Sequence, residues 1–246
     1  MKILVCISKA PDTTTKISFT DNDTKFNEEN VQFIVNPYDE WYALVRGLEL
    51  KEAGGGSVTT VTVGGSDHDP IIRKALAIGA DNAVRINTEP QDGYTVAKEI
   101  AAYAEGKDYD LILLGKETIN YNGSQVGGML AELMGLPYVS VASKLDVAGD
   151  TATVEQDIPA GKQVVEGPLP IVISCAKGMA EQRIPNMRGI MAARTKPLEV
   201  VEPAGAAPLV TASKFSLPED KGEVKMIDAE NAESLIELLH NEAKVI

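Results

Sequence analysis

Asp110-Leu111-Ile112-Leu113-Leu114-Gly115-Lys116 is the stretch on which the fold turns. Its four apolar residues run continuously instead of alternating with polar ones, the pattern of a strand covered on both faces within a parallel sheet. Such a strand belongs near the middle of its sheet, with helices on either side. On its carboxyl side, Val126, Met129, Leu130, Leu133 and Met134 repeat at helical spacing, and Gly135 and Pro137 stop the pattern. Asn122-Gly123-Ser124 reads as the opening of that helix. On its amino side, Val96, Ile100, Tyr103 and Ala104 share one helix face, preceded by a strand at 83–86. Further back come a helix with Pro70 near its start, a strand at 58–63, and a helix carrying Trp41, Leu44, Val45 and Leu48, ended by Gly54-Gly55-Gly56. Met1-Lys2-Ile3-Leu4-Val5-Cys6-Ile7 supplies the first strand. Strands separated by helices specify right-handed crossovers, hence a three-layer, doubly wound, mostly parallel α/β fold.

The period changes after residue 138. Segments 139–147, 151–158 and 162–165 read as antiparallel strands joined by turns, and 169–175 as another buried strand. From Lys177 to about Asp228 the chain is weakly periodic and carries Pro185, Pro197, Pro203, Pro208 and Pro218. Asp228 then caps a last amphipathic helix with Leu235, Ile236, Leu238 and Leu239. A stretch this long without strong pattern is unusual inside a compact domain. The expected division is therefore an α/β body at 1–189, with an antiparallel extension, and an arm at 190–246 that packs on a partner or, as the alternative reading, back on the chain's own body.

Composition narrows the function. Of 246 residues, 44% are apolar and 24% charged, as in soluble globular proteins, and no apolar run is long enough to span a bilayer. The formal net charge of -13 opposes sequence-independent binding to nucleic acid or anionic membranes. The first strand is too short for a secretory signal, and Cys6 and Cys175 both lie in strand-like runs, which points to free thiols and a cytoplasmic setting. His68 and His240 lack ligand spacing, so no metal site is expected.

In a doubly wound fold the ligand lies beyond the carboxyl ends of the strands. Here those ends supply Ile7-Ser8-Lys9, Val63-Gly64-Gly65 and Leu114-Gly115-Lys116, with the 123–128 helix start beside the last. Backbone N–H groups and the helix dipole suit an anion there, with Gly123 giving close access and Ser124 a hydroxyl donor. Walker, dinucleotide, nucleophile-elbow and zinc-protease motifs are absent from the sequence, and no nucleophile–base pair can be assembled. These residues point to a nucleotide binder without a reaction of its own.

Several segments then occur in one order: Lys2 to Ile7; Val35-Asn36-Pro37-Tyr38-Asp39-Glu40; Arg73-Lys74-Ala75-Leu76-Ala77-Ile78-Gly79-Ala80-Asp81; Leu113-Leu114-Gly115-Lys116; Ser124-Gln125-Val126-Gly127; and Ile184-Pro185-Asn186-Met187-Arg188-Gly189-Ile190-Met191-Ala192-Ala193. Together they resemble the β subunit of the electron-transferring flavoproteins. That resemblance implies an adenine nucleotide α-hydrolase-like fold and a heterodimer whose α subunit carries the redox-active FAD. It implies electrons accepted from acyl-CoA and other dehydrogenases, as in fatty acid β-oxidation, and passed to an acceptor such as a membrane quinone oxidoreductase. It also implies a structural AMP in this subunit, with a second FAD in the same place in bifurcating members; the sequence leaves the two occupants open. An adenine-nucleotide sensor of the universal stress protein type is the other reading, opposed by the long proline-rich tail.

Carried over by position, the nucleotide pocket comprises Cys6, Asn36, Pro37, Tyr38, Asp39, Val63, Asn120, Asn122, Gly123, Ser124, Gln125, Val126 and Gly127. Asn120-Tyr121-Asn122 replaces an acidic D-x-D pattern common in the family, and Pro159-Ala160-Gly161-Lys162-Gln163 replaces D-G-G-x-E, so no flavin-side charge transfers to Gln163. The segment 177–194 resembles the family's recognition loop for dehydrogenases, with Ile184 as the aliphatic anchor beside Pro185, Asn186 and Met187.

Overall fold

A computed structural model describes residues 1–220 and 222–246; position 221, within the expected arm, lies outside the described residues. The elements run β1 (Lys2–Cys6), β2 (Lys9–Pro11), β3 (Phe19–Thr20), β4 (Lys25–Phe26), β5 (Phe33–Val35), α1 (Asp39–Gly54), β6 (Ser57–Val63), α2 (Asp69–Ile78), β7 (Asn82–Ile86) and α3 (Gly93–Ala104). There follow β8 (Leu111–Gly115), α4 (Val126–Met134), β9 (Tyr138–Ala148), β10 (Thr151–Ile158), β11 (Gly161–Pro168), β12 (Ile171–Cys175), α5 (Met187–Ala193), β13 (Leu198–Val201) and α6 (Glu233–Glu237). The chain forms two compact units, one of 1–16 with 27–213 and one of 17–26 with 214–246.

The first unit is built on a nine-stranded sheet ordered β11-β10-β9-β12-β8-β1-β6-β7-β13, so the Leu111–Leu114 strand is its central member. Neighbours are parallel from β9 to β13, and β9, β10 and β11 extend the sheet as antiparallel strands. Alternate residues of each central strand feed opposite cores. Ile3, Val5, Leu111 and Leu113 pack with α1 and α2, whereas Leu4, Cys6, Ile112 and Leu114 pack with Ile100 of α3 and Leu130 of α4. Every side chain of the continuous run is thereby buried, each worth about 1.5–3 kcal/mol. The chain moves from β1 to β6 and β7 on one side, then to β8 on the other, so the order reverses between β1 and β8. That reversal places the crevice at the carboxyl ends of these two strands.

Three local expectations change. The helix expected from Asn122-Gly123-Ser124 begins at Val126, and Asn122 and Ser124 instead hold left-handed backbone, φ 49° and 50°, in the preceding loop. Segment 177–228 is not featureless: α5 and β13 lie within it, and β13 pairs parallel with β7 as the sheet's outer strand. The final helix after Asp228 is a 3-10 turn, the short α6 and a π-turn at Leu238–Glu242 instead of one regular helix.

The second unit contains the β3–β4 hairpin, with residues 21–23 all at positive φ, and Phe19 stacked on Phe215 at 5.3 Å between ring centroids. Phe215 N–H also donates to the Asp23 carbonyl at 2.7 Å. Leu235 and Ile236 of α6 stay exposed.

Candidate functional site

At the crevice, Cys6 ends β1 and Gly115 ends β8. A side chain at Gly115 would meet the Glu40 backbone nitrogen at 2.9 Å and Asp39 Cβ at 3.0 Å, so only glycine lets the start of α1 lie this close to the strand end. Asn36 ties the two halves together from a fully buried position. Its amide donates to the Glu117 carbonyl at 3.0 Å, and its side-chain oxygen accepts the Ile119 N–H at 3.0 Å. The turn at 36–39 and the loop after β8 are therefore one structure. Tyr38 precedes α1 with φ 66°, a conformation costly for a non-glycine residue, and projects its ring to solvent. Pro37 lies partly covered beside it.

The crevice floor is acidic. Glu40 accepts the Ser8 N–H and the Ser8 hydroxyl, both at 2.7 Å. Burial pushes its carboxyl up to about 8, against those two hydrogen bonds and with a small addition from Asp39. Burial likewise raises Asp39 to about 6, with Lys116 opposing. Desolvation also drives the Cys6 thiol far above its ordinary value, so it is a small core side chain and not a reactive thiolate.

Beyond β8, Lys116 pairs with Glu117 at 3.2 Å, and this pairing holds the Glu117 carboxyl below its usual range. Ser124 donates its hydroxyl to the same carboxylate at 3.2 Å. Asn120, Asn122, Gly123, Ser124 and Gln125 are all exposed on this loop, Val126 is half-buried, and Gly127 is buried. A side chain at Gly127 would come within 2.7 Å of the Tyr138 hydroxyl, so α4 sits directly on β9 there. Nothing crowds Gly123, which leaves its backbone open to a ligand. Val63 ends β6, two strands from β8, where it belongs to the core beside Cys6.

Cys6, Asn36 and Asp39 thus lie at the same end of the sheet as the 116–125 loop and the start of α4. Ile184 to Met187 lie elsewhere, where the chain passes α1 and α2: Ile184 is 81% and Met187 73% exposed. Gln163 lies on β11, where its amide donates to the Gln156 side chain across the hairpin. Sequence reasoning put Ser8 and Lys116 at the strand ends beside the site but gave no role there to Glu40 or Glu117. The one available signal was an acid in the first turn of a helix, which ordinarily reads as a solvated partner of the dipole. Asp110 accepts the Lys2 N–H, and Asp67 pairs with Lys9. Among the described residues no cluster of His, Cys, Asp and Glu is arranged to hold a metal ion.

Fold and site together define a doubly wound three-layer α/β protein whose 36–39 turn and post-β8 loop are joined at the topological switch point. The sequence model of the "Electron transfer flavoprotein domain" family matches residues 23–206. The chain is 35% identical to the electron transfer flavoprotein subunit beta of Bacillus subtilis and 36% identical to that of Syntrophomonas wolfei, over all of this chain and 100% and 98% of those proteins. It is 31% identical to the mitochondrial subunit beta of Oryza sativa subsp. indica over the whole of both chains. The chain belongs to the electron transfer flavoprotein β-subunit family. No helix among the described residues is long and apolar enough to cross a membrane.

Proposed function

We propose that this chain is the nucleotide-holding, dehydrogenase-recruiting half of a heterodimer whose α subunit carries FAD. Electrons from acyl-CoA and related flavin dehydrogenases enter the heterodimer and leave to an acceptor such as a membrane quinone oxidoreductase, and this chain contributes no catalytic residue. The observation that carries the reading is the Asn36 brace, which joins the 36–39 turn to the loop leading into 120–127. These are the segments whose sequence resembles the family's nucleotide pocket.

The residues suit an adenine nucleotide. Gly123 exposes its backbone, Ser124 and Gln125 offer side-chain donors, and α4 turns the positive end of its dipole toward the loop. Ser124 donates to Glu117, so a phosphate at this place takes over a hydroxyl now satisfied by a carboxylate. FAD held with the α subunit supplies the redox chemistry; AMP in this chain is structural. Ile184, Pro185, Asn186 and Met187 present an apolar docking surface for dehydrogenases, because two aliphatic side chains stand out from an anchored turn.

Acid release of ligands from the purified heterodimer tests the assignment. One flavin and one AMP per pair is the expected result. Two flavins per pair would place FAD in this crevice, and a chain that never retains flavin or partner would end the reading.

A further inference from the structure

The segment around Ile184 is fastened on both sides by contacts that local sequence does not require. Before it, the Arg183 carbonyl accepts the Trp41 indole N–H at 3.2 Å, and the Arg183 guanidinium forks onto Glu52 at 2.6 and 3.1 Å. After it, α5 and α2 exchange caps. Arg73 of α2 donates to the carbonyls of Ala193, the last residue of α5, and of Lys196 beyond it, at 2.8 and 2.7 Å. Lys196 donates in return to the carbonyls of Leu76 and Ala80 at 2.9 and 2.6 Å, at the end of α2. Each cation satisfies carbonyls that a helix end leaves without partners. Between these fastenings a Cβ on Gly189 would collide with the Ala77 carbonyl oxygen, so α5 rests backbone against backbone on α2. Asn186 caps α5 by accepting the Gly189 N–H at 2.8 Å. Of the apolar side chains in this segment, Ile184, Met187 and Met191 stand out furthest, each more than 60% exposed.

We propose that Arg73 and Lys196 are positioning residues for docking: by capping each other's helix ends they hold 184–191 in its binding shape before a dehydrogenase arrives. This rests on the reading that Ile184 and Met187 contact the dehydrogenase. A seven-residue helix has too few internal hydrogen bonds to persist by itself. Without the clamp, part of the population loses the presented shape and apparent affinity falls by that fraction.

The experiment uses the heterodimer and a purified acyl-CoA dehydrogenase as the binding probe. Arg73→Met and Lys196→Met are each expected to speed amide exchange across 184–194 and to weaken binding about five- to tenfold. Lys196→Arg restores binding, and flavin content is unchanged throughout. In a chain already carrying Ile184→Ala and Met187→Ala, which binds weakly, either clamp substitution weakens binding no further, because no presented surface remains to be positioned. Faster exchange with unaltered binding, or an equal loss in that background, overturns the clamp while leaving the docking reading intact. Unaltered binding by Ile184→Ala with Met187→Ala overturns the docking reading and the clamp with it. Should Arg73→Met fail to fold, Gly189→Ala carries the same expectation by pushing α5 off Ala77.

Discussion

Glu40 accepts two hydrogen bonds from Ser8 at a strand end closed to water, and its carboxyl keeps its proton up to about pH 8. In the unfolded chain it ionises near its ordinary value of 4.5, so between these limits the folded protein binds more protons. Stability from this group is therefore complete below about pH 4.5 and is lost as pH rises toward 8, with a slope of at most about 1.4 kcal/mol per pH unit. Asp39 adds the same sign between its ordinary value and about 6. Glu40→Gln, which keeps an acceptor for the Ser8 N–H, should flatten the decline. Denaturant unfolding from pH 5 to 8.5 is expected to move in the variant's favour as pH rises; a constant difference would show that Glu40 does not titrate in this window. Asn36 makes a second, separable prediction. Asn36→Ala strands the Ile119 N–H and the Glu117 carbonyl, at a cost of about 1–3 kcal/mol, and, on the proposed reading of this site as a nucleotide pocket, should let the nucleotide go during purification. Nucleotide retained at wild-type stoichiometry would remove Asn36 from the site. Neither role was legible locally, because an acid and an amide beside a helix start look solvated until Ser8 and Ile119 arrive from distant parts of the chain.

At the scale of elements, what was legible is what repeats. The continuous apolar run of β8 and the helical spacing in α4 depend on burial along the element itself, so their type was readable, though the start of α4 was not. That start is displaced because the loop before it takes its shape from Asn36 and Glu117, not from the Gly123-Ser124 helix signal. β13 was unreadable for a related reason: Leu198–Val201 has both middle residues exposed and becomes a strand through its parallel pairing with β7. The chain after β13 is then strapped to α3 by two acids. Glu99 accepts the N–H groups of Ala204 and Ala206 at 2.6 and 2.8 Å, and Asp92 accepts those of Leu209 and Val210 at 2.7 and 3.0 Å. Glu99→Gln keeps only one acceptor and turns an amide against the second N–H. It should cost about 1–3 kcal/mol and raise amide exchange at 204 and 206. Protection unchanged at these two amides would show that the strap contributes nothing to holding the segment.

For the whole molecule, the boundary expected at 189 falls inside α5, and the residues after it complete the sheet, so two truncations separate the roles of the early and late parts of 190–246. Removing 190–246 takes away β13, uncovers the edge of β7 and deletes Lys196 from the clamp on α2. That chain should unfold or aggregate, since an uncovered hydrophobic strand edge recruits other chains. Removing only 214–246 spares the sheet, both cores and the strap on α3, all of which lie within the unit ending at 213. It strips the segment with exposed Val224, Met226, Leu235 and Ile236, apolar side chains that suit a partner's surface better than water. The shorter deletion is expected to give soluble protein with near-native circular dichroism that no longer copurifies with a coexpressed α subunit. If it still copurified in equal yield, the α subunit would be held by the sheet-bearing unit alone, and the C-terminal segment would need another occupant for its apolar side chains.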